Sequence, residues 1–484
     1  MFNVRRTPEV TQALTVYQST GVLKPQSGYR KSGVHRAALA LVWLTVALGG
    51  FVFAEPAPVD FLTFALFVLL PVVGLTDVKP GIAGGFALWL LVGACGLVSA
   101  SVGRDIPAAA GHMSISIYLY ASCFLFAAFI ARSPQDHIRL VLNANLAASV
   151  VVSCLGIIGY LDIIPGAFDL LTRYGRATAT FKDPNVFGPF AIAGLLTALH
   201  LWLTRPVSRS VLPLLAAALQ TVAILFTFSR GAWAATGLAL AVYSYFYLLT
   251  APRNRDRLKL AGFALLGSAV LGLIIAASLQ SASFSQLLTS RAALTQSYDV
   301  GAEGRFGGQE KALNLILENP AGIGARDFTR FYHHEEVHNV YLSMMLNTGW
   351  IGGLLYLMIC AGTLMRAFDH ALLRTKTQPL FLIVMAALAG NVVEGILIDT
   401  DHWRHFYLLM GLVWGLMAGD TRQLRASRIV RDVRPVLMKD LLIVPPSRRD
   451  PRIIARVPNA VVAASQAARD PAKRRAAKPL VTTG

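Results

Sequence analysis

The sequence predicts an all-α, polytopic membrane protein of about twelve transmembrane helices, and three observations predict it. Of 484 residues, 55% are hydrophobic and only 14% are charged, against roughly 25% charged in an ordinary soluble domain. The apolar residues gather in runs near the ~20 residues needed to cross ~30 Å of hydrocarbon. Lysines and arginines collect between alternate runs, as the positive-inside rule requires.

Taken in order, the runs lie near 37–54, 59–76, 81–101, 113–131, 138–160, 186–203, 211–228, 231–249, 260–278, 340–365, 378–397 and 403–419. The first thirty-six residues are polar and basic, so the first run is expected to be a retained span and not a cleaved leader. Pro71 and Pro189 lie inside runs, where neighbouring helices can satisfy the freed carbonyls and a kink is expected. One side of the bundle takes most of the cations, which puts both termini in the cytoplasm. The chain then divides into a cytoplasmic segment 1–36, a membrane domain 37–419 and a basic tail 420–484. The tail alternates Arg and Lys with Ala, Val and Pro and has no periodic apolar face, so it is expected to be disordered on the membrane surface. A net charge of +18 follows from this topology and from a tail facing anionic lipid, and no nucleic-acid partner is needed to explain it. Cys95, Cys123, Cys154 and Cys360 each sit inside an apolar run and read as small packing residues.

Two outer segments, 162–185 and 279–339, are too long to be mere turns, and long connections on a membrane scaffold carry function. In the second, Ala312, Leu313, Leu315, Ile316 and Leu317 predict an amphipathic helix ended by Asn319-Pro320. The outer cations are Arg104, Arg173, Arg176, Lys182, Arg230, Arg291, Arg305, Lys311, Arg326, Arg330 and Arg404. Arg230 lies in Thr227-Phe228-Ser229-Arg230-Gly231, which joins two spans almost without a loop. It must sit at the interface or face a polar cavity; it reads either as a snorkelling arginine or, with Arg176, as a fork for phosphate oxygens.

The densest ionisable stretch is Tyr332-His333-His334-Glu335-Glu336-Val337-His338-Asn339, which runs into a span containing Gly349 and Gly352. His334-Glu335-Glu336-Val337-His338 matches the H-E-x-x-H zinc pattern, in which two histidines one helical turn apart bind metal and the glutamate acts as base. Such a site makes an intramembrane metalloprotease, with His402, Asp399 or Asp401 as third ligand. Against it, the motif lies at the edge of its span. Gly349 and Gly352 are expected to be close-packing positions.

His338-Asn339 with Leu342, Gly349 and Gly352, behind a long outer loop carrying Arg305 and Pro320-Ala321-Gly322-Ile323-Gly324, resembles the O-antigen ligase and polysaccharide polymerase superfamily. Gly175-Arg176 with Thr180-Phe181 and Asp183-Pro184-Asn185, and the Ser229-Arg230-Gly231 turn, resemble its two upstream motifs. The resemblance covers roughly residues 37–419. It implies a GT-C-like bundle with a helical periplasmic loop, 279–339, between spans nine and ten. It also implies an inverting glycosyltransferase, without metal or other cofactor, in the bacterial inner membrane with its site facing the periplasm. The donor is a glycan on undecaprenyl pyrophosphate; the acceptor is a second glycan or lipid A core; membrane lipids surround both. Carried over residue by residue, Arg176 and Arg230 hold the donor pyrophosphate with Arg305 and Lys182 in support, and His338 is the general base. His333, His334, Glu335 and Glu336 fall outside the family pattern. Either they shape the acceptor site or they are merely solvated.

Asn143, Asn145, Asn391 and Glu394 are polar residues within spans, where hydrogen bonds between helices account for them and Glu394 is also a candidate lining of the lipid-carrier groove. Twelve spans with cytoplasmic termini also describe a transporter. Transporters carry related halves, and no internal repeat is evident here.

Overall fold

The computed structural model describes residues 33–250, 254–278, 301 and 304–420. Val34–Gly419 forms one compact unit. Residues 1–32, Arg291 with the first part of the 279–339 loop, and the tail from 421 lie outside the described residues.

Each apolar run falls on a helix. In chain order these are α1 (Gly33–Leu48), α2 (Pro58–Val72), α3 (Pro80–Val102), α4 (Ile106–Arg132) and α5 (Pro134–Tyr160). A short α6 (Ala167–Leu171) leads into the hairpin β1 (Thr172–Arg173) and β2 (Arg176–Ala177). There follow α7 (Pro184–Thr204), α8 (Val211–Phe226), α9 (Arg230–Thr250), α10 (Asn254–Ser278), α11 (Arg305–Glu318), α12 (Val340–Ala371), α13 (Gln378–Glu394) and a helix over 404–420, α14. Among the described residues six helices, α3, α4, α5, α7, α9 and α12, are long and apolar enough to cross a bilayer, and α1, α2, α8 and α13 are apolar but shorter. The chain is a membrane-embedded, multi-pass helical protein.

Local chemistry sets the helix ends. Proline opens α2, α3, α5 and α7, where its missing N–H costs nothing. Asp105 and Asp183 cap α4 and α7 by accepting from the backbone amides of Ala108 and Asn185. The first run, 37–54, is helical only to Leu48; its last part is loop, and there the Val52 amide donates to the Thr180 carbonyl at 2.9 Å. Pro71 lies in the last turn of α2 and Pro189 inside α7, and neither interrupts its helix.

The bundle is organised around α7, buried along most of its length and packed against α5, α8, α9 and α13. Trp89 of α3 stacks on Tyr120 of α4 at 4.6 Å and meets Tyr356 of α12 and Tyr407 of α14 edge-on. This buried aromatic cluster ties four helices together. Phe61, Phe64, Val68 and Val72, exposed at helical spacing on α2, form a face that lipid can cover.

The expected amphipathic helix is α11. Its inner face is narrower than the sequence predicts: Ala312 and Ile316 are buried, whereas Leu313 and Leu317 are exposed. The chain then docks into α12 at Gly349. That residue is not a close-packing position within a continuous helix; its backbone, φ 68° and ψ −179°, breaks the helix. The Ile323 amide donates to the Leu346 carbonyl at 2.9 Å and the Trp350 amide to the Pro320 carbonyl at 3.0 Å. A Cβ at Gly349 would come within 2.6 Å of the Pro320 oxygen. Gly352 does pack closely, against Cys95 of α3.

Candidate active site

Loops from several elements meet at one end of the bundle. The β1–β2 hairpin turns through Tyr174 and Gly175, both with positive φ, the two-residue turn whose twist suits paired strands. It delivers a half-buried Arg176. The Arg176 Nε donates to the Thr227 carbonyl at 2.7 Å, and its Nη2 donates to Asn185 Oδ1 at 2.8 Å. Thr227 begins the turn that ends at Arg230, the first residue of α9; Phe228 makes the turn with φ 46°, and Ser229 Oγ accepts from the Ala232 amide at 3.2 Å. Two guanidinium-bearing segments are thus joined, one through its own side chain.

Glu394, the last residue of α13, reaches the same place. It is buried, and a Cβ on Gly231 would lie 3.0 Å from its Oε1. Among the described residues neither carboxylate oxygen makes a hydrogen bond. One residue on, the Gly395 carbonyl accepts from the Val340 amide at 2.8 Å, which connects the arginine turn to the start of α12.

His338 stands just before that start. Its φ of 54° is a left-handed conformation that a non-glycine residue adopts at a cost of about 1–3 kcal/mol, and the surroundings enforce it. The His338 amide donates to Asp399 Oδ2 at 2.9 Å, while its carbonyl accepts from Arg305 Nη2 at 3.3 Å. Asn339 caps α12 by accepting from the amides of Tyr341 and Leu342. The ring keeps about a third of its surface exposed and lies 3.9 Å from Glu335. Burial first, and then the Arg305 charge, hold its pKa below the ordinary 6.5, against Glu335 and Asp183, which raise it. The imidazole is neutral at pH 7, the state a general base needs. Asp183 is also the cap beside Asn185, the partner of Arg176, so histidine and arginine belong to one neighbourhood.

Arg305 spends one amino group on backbone, donating to the carbonyls of His338 and Leu397; its described contacts brace the loop. Lys182 pairs with Glu55 at 3.5 Å, in a group completed by Arg404, which forks onto both oxygens of Asp60 at 2.8 Å.

The H-E-x-x-H reading fails on geometry. Residues 333–339 are not helical, so His334 and His338 do not share a helix face. The cause is legible: Asn339 is the cap, which leaves everything before it outside the helix. His333 is buried against Gly308 and Phe328, and Glu336 pairs with Arg326 at 3.3 Å. Asp401 and His402 instead meet His112 of α4, the three bringing ligand-type atoms within 4.8 Å of one another. His112 Nε2 is 3.2 Å from Asp401, His402 Nε2 is 3.0 Å from Ser116 Oγ, and the two imidazoles stack at 3.9 Å. Two imidazoles and a carboxylate are a donor set for a cation; in this structure His112 bonds to Asp401 and His402 to Ser116. Burial pushes His402 down to about 4. Burial also raises Asp401, but the His112 hydrogen bond and the neighbouring imidazoles outweigh it and hold that carboxyl at about 2. Asp399 keeps some solvent contact, yet the protein around it and the Asp401 charge push it up to about 7. Sequence reasoning missed His112 and Ser116. Their one signal is the i, i+4 spacing of two polar groups on an apolar helix.

Residues 215–357 match the family model described as O-antigen ligase. The matched segment runs from α8 into α12 and includes Arg230, Arg305 and His338, whereas Arg176, Lys182 and Asp399 lie outside it. The match supports the O-antigen ligase and polysaccharide polymerase superfamily for this chain. No curated protein matches it closely enough to count as a relative.

Proposed function

With the O-antigen ligase and polysaccharide polymerase superfamily as premise, we propose that the protein is an inverting glycosyltransferase. It moves a glycan from undecaprenyl pyrophosphate to an acceptor hydroxyl at the periplasmic face of the bacterial inner membrane, and it needs no metal. The acceptor hydroxyl attacks the anomeric carbon from the face opposite the carrier. Its proton passes to the neutral His338 imidazole, the bond from the anomeric carbon to the pyrophosphate oxygen breaks, and the carrier leaves as the pyrophosphate anion. Arg176 and Arg230 stabilise that charge, the role a bound cation has in many other transferases. Arg305 positions the histidine turn, and Lys182 meets the donor at the rim.

The observation that carries this reading is the tie from Arg176 to Thr227, beside Arg230, at the end of the bundle where His338 is held neutral. The test is purified protein with a glycan on undecaprenyl pyrophosphate in the presence of a chelator. Donor consumption should continue, and both His338→Ala and Arg230→Ala should abolish it while still inserting. Full activity in either variant removes that residue from the mechanism; activity lost to the chelator and restored by zinc removes the metal-free chemistry. The two acceptors share this donor chemistry, and surface polymer from a deletion strain separates them: without a ligase, long chains stay on the carrier, and without a polymerase, single repeat units do.

A further inference from the structure

Between α5 and the hairpin, residues 161–174 carry an unusual surface. Leu161, Ile163, Ile164, Leu170 and Tyr174 are each more than half exposed, and Phe168 is exposed as well. In a water-facing loop such a patch is costly. The segment is nevertheless firmly placed. Leu171 is buried, with its Cβ packed where a Cβ on Gly159 would stand. The Leu171 carbonyl accepts from the amides of Thr178 and Ala179, both at 3.0 Å, and Asp162 accepts from the Phe168 amide at 3.1 Å. The apolar side chains are therefore held outward by a fixed backbone.

Depth and charge identify what covers them. With 21 residues, α7 is about 31 Å long, close to the hydrocarbon thickness. Its first residue, Pro184, and the hairpin just before it thus stand at the edge of the hydrocarbon. At the border of the patch the exposed Arg173 lies over the Tyr174 ring at 5.2 Å and donates to the Lys182 carbonyl, and the exposed Lys182 side chain pairs with Glu55. Asp162 and Asp169 are the exposed acids of the segment. Bulky apolar groups bordered by tyrosine and cations are what the lipid headgroup layer takes up.

We propose that residues 161–174 are an interfacial anchor, seated in the lipid leaflet on the side of the Arg176 hairpin. Leu170 and Ile164 reach the upper acyl chains, and Arg173 meets lipid phosphates. The anchor fixes the Arg176 hairpin at phosphate depth, so a lipid-linked pyrophosphate reaches the guanidinium without leaving the membrane. The anchor rests on membrane embedding; only this last consequence rests on the transferase reading.

The test uses nitroxide labels at Ile164→Cys, Leu170→Cys and Ile163→Cys in the full chain, with Cys95 and Cys154 replaced by alanine and Lys311→Cys on the exposed face of α11 as reference. Reconstitution is into phosphatidylethanolamine and phosphatidylglycerol vesicles, without donor. At the anchor positions collision with oxygen should exceed collision with a water-soluble nickel complex several-fold, and the order should reverse at position 311. Equal access of the nickel complex to the anchor and to position 311 overturns the proposal. So does protection from both reagents, the outcome for a face covered by a second copy or another protein. Because no donor is present, these labels report on the anchor even if the chemistry proposed above fails.

Discussion

The histidine turn and the arginine hairpin are held by opposite strategies. At His338 the ties are made to the backbone, by Asp399, Arg305 and the cap of Asn339, and the ring makes none of them. At Arg176 the functional side chain is itself the tie, joined to Thr227 and Asn185. The histidine can therefore be changed without loosening its surroundings, whereas the arginine cannot. General-base chemistry and charge stabilisation both need preorganised groups, but only the arginine has to serve as a structural bond as well.

The largest expected effect comes from His338→Ala. Transfer should fall by about 10²–10⁴, the scale of general-base catalysis, while the thermal unfolding midpoint stays at that of the parent; a large drop in the midpoint would erase the contrast. Arg176→Lys keeps the charge but loses the fork. It should lose activity and also about 1.5–3 kcal/mol of stability, the usual scale for hydrogen bonds to a charged group, read as an earlier denaturant midpoint. If Arg176→Lys is as stable as the parent, the side chain is not the tie described here. Asp399→Ala strands the His338 amide and the Ser343 hydroxyl that it accepts from, at about 1–3 kcal/mol. Asp399→Asn, which keeps an acceptor oxygen for one of these two donors, should lose less of both activity and stability, and equal losses would show that both acceptors are required.

The smallest effects are in pH dependence. The His338 pKa lies below 6.5, so the acid limb of kcat/KM should fall below that pH, activity being lost as the imidazole protonates. Arg305 lowers this pKa and Glu335 raises it. Arg305→Gln should therefore move the limb to higher pH and Glu335→Gln to lower pH. Shifts in the same direction would show that the limb belongs to another group.

The bundle was legible because burying a helix in lipid leaves a long apolar run, and each such run lies on a helix. The Asn339 cap was legible too, and reading it first would have removed the zinc pattern, since His338 then stands before the helix. Other features leave no local trace. His112 and Asp401 are 289 positions apart, and nothing near either one announces the other. Gly349 in an apolar run reads equally as a packing notch or a break, and only the docked loop distinguishes them. Glu394 is visible as a carboxylate within a span, but not its placement against Gly231, which depends on how α9 and α13 cross.

The dock at Gly349 also bears on the order of assembly. Ile323 and Leu346 are separated by a short stretch of chain, so closing that contact costs little entropy and can be early. The unit it forms, α11 with the upper part of α12, already contains His338. The groups that lock the histidine turn, the Gly395 carbonyl and the Asp399 carboxylate, are added only when the next helix has been made. A growing chain thus carries its histidine well before that turn is fixed, and the site is finished by some of the last residues to enter the bundle.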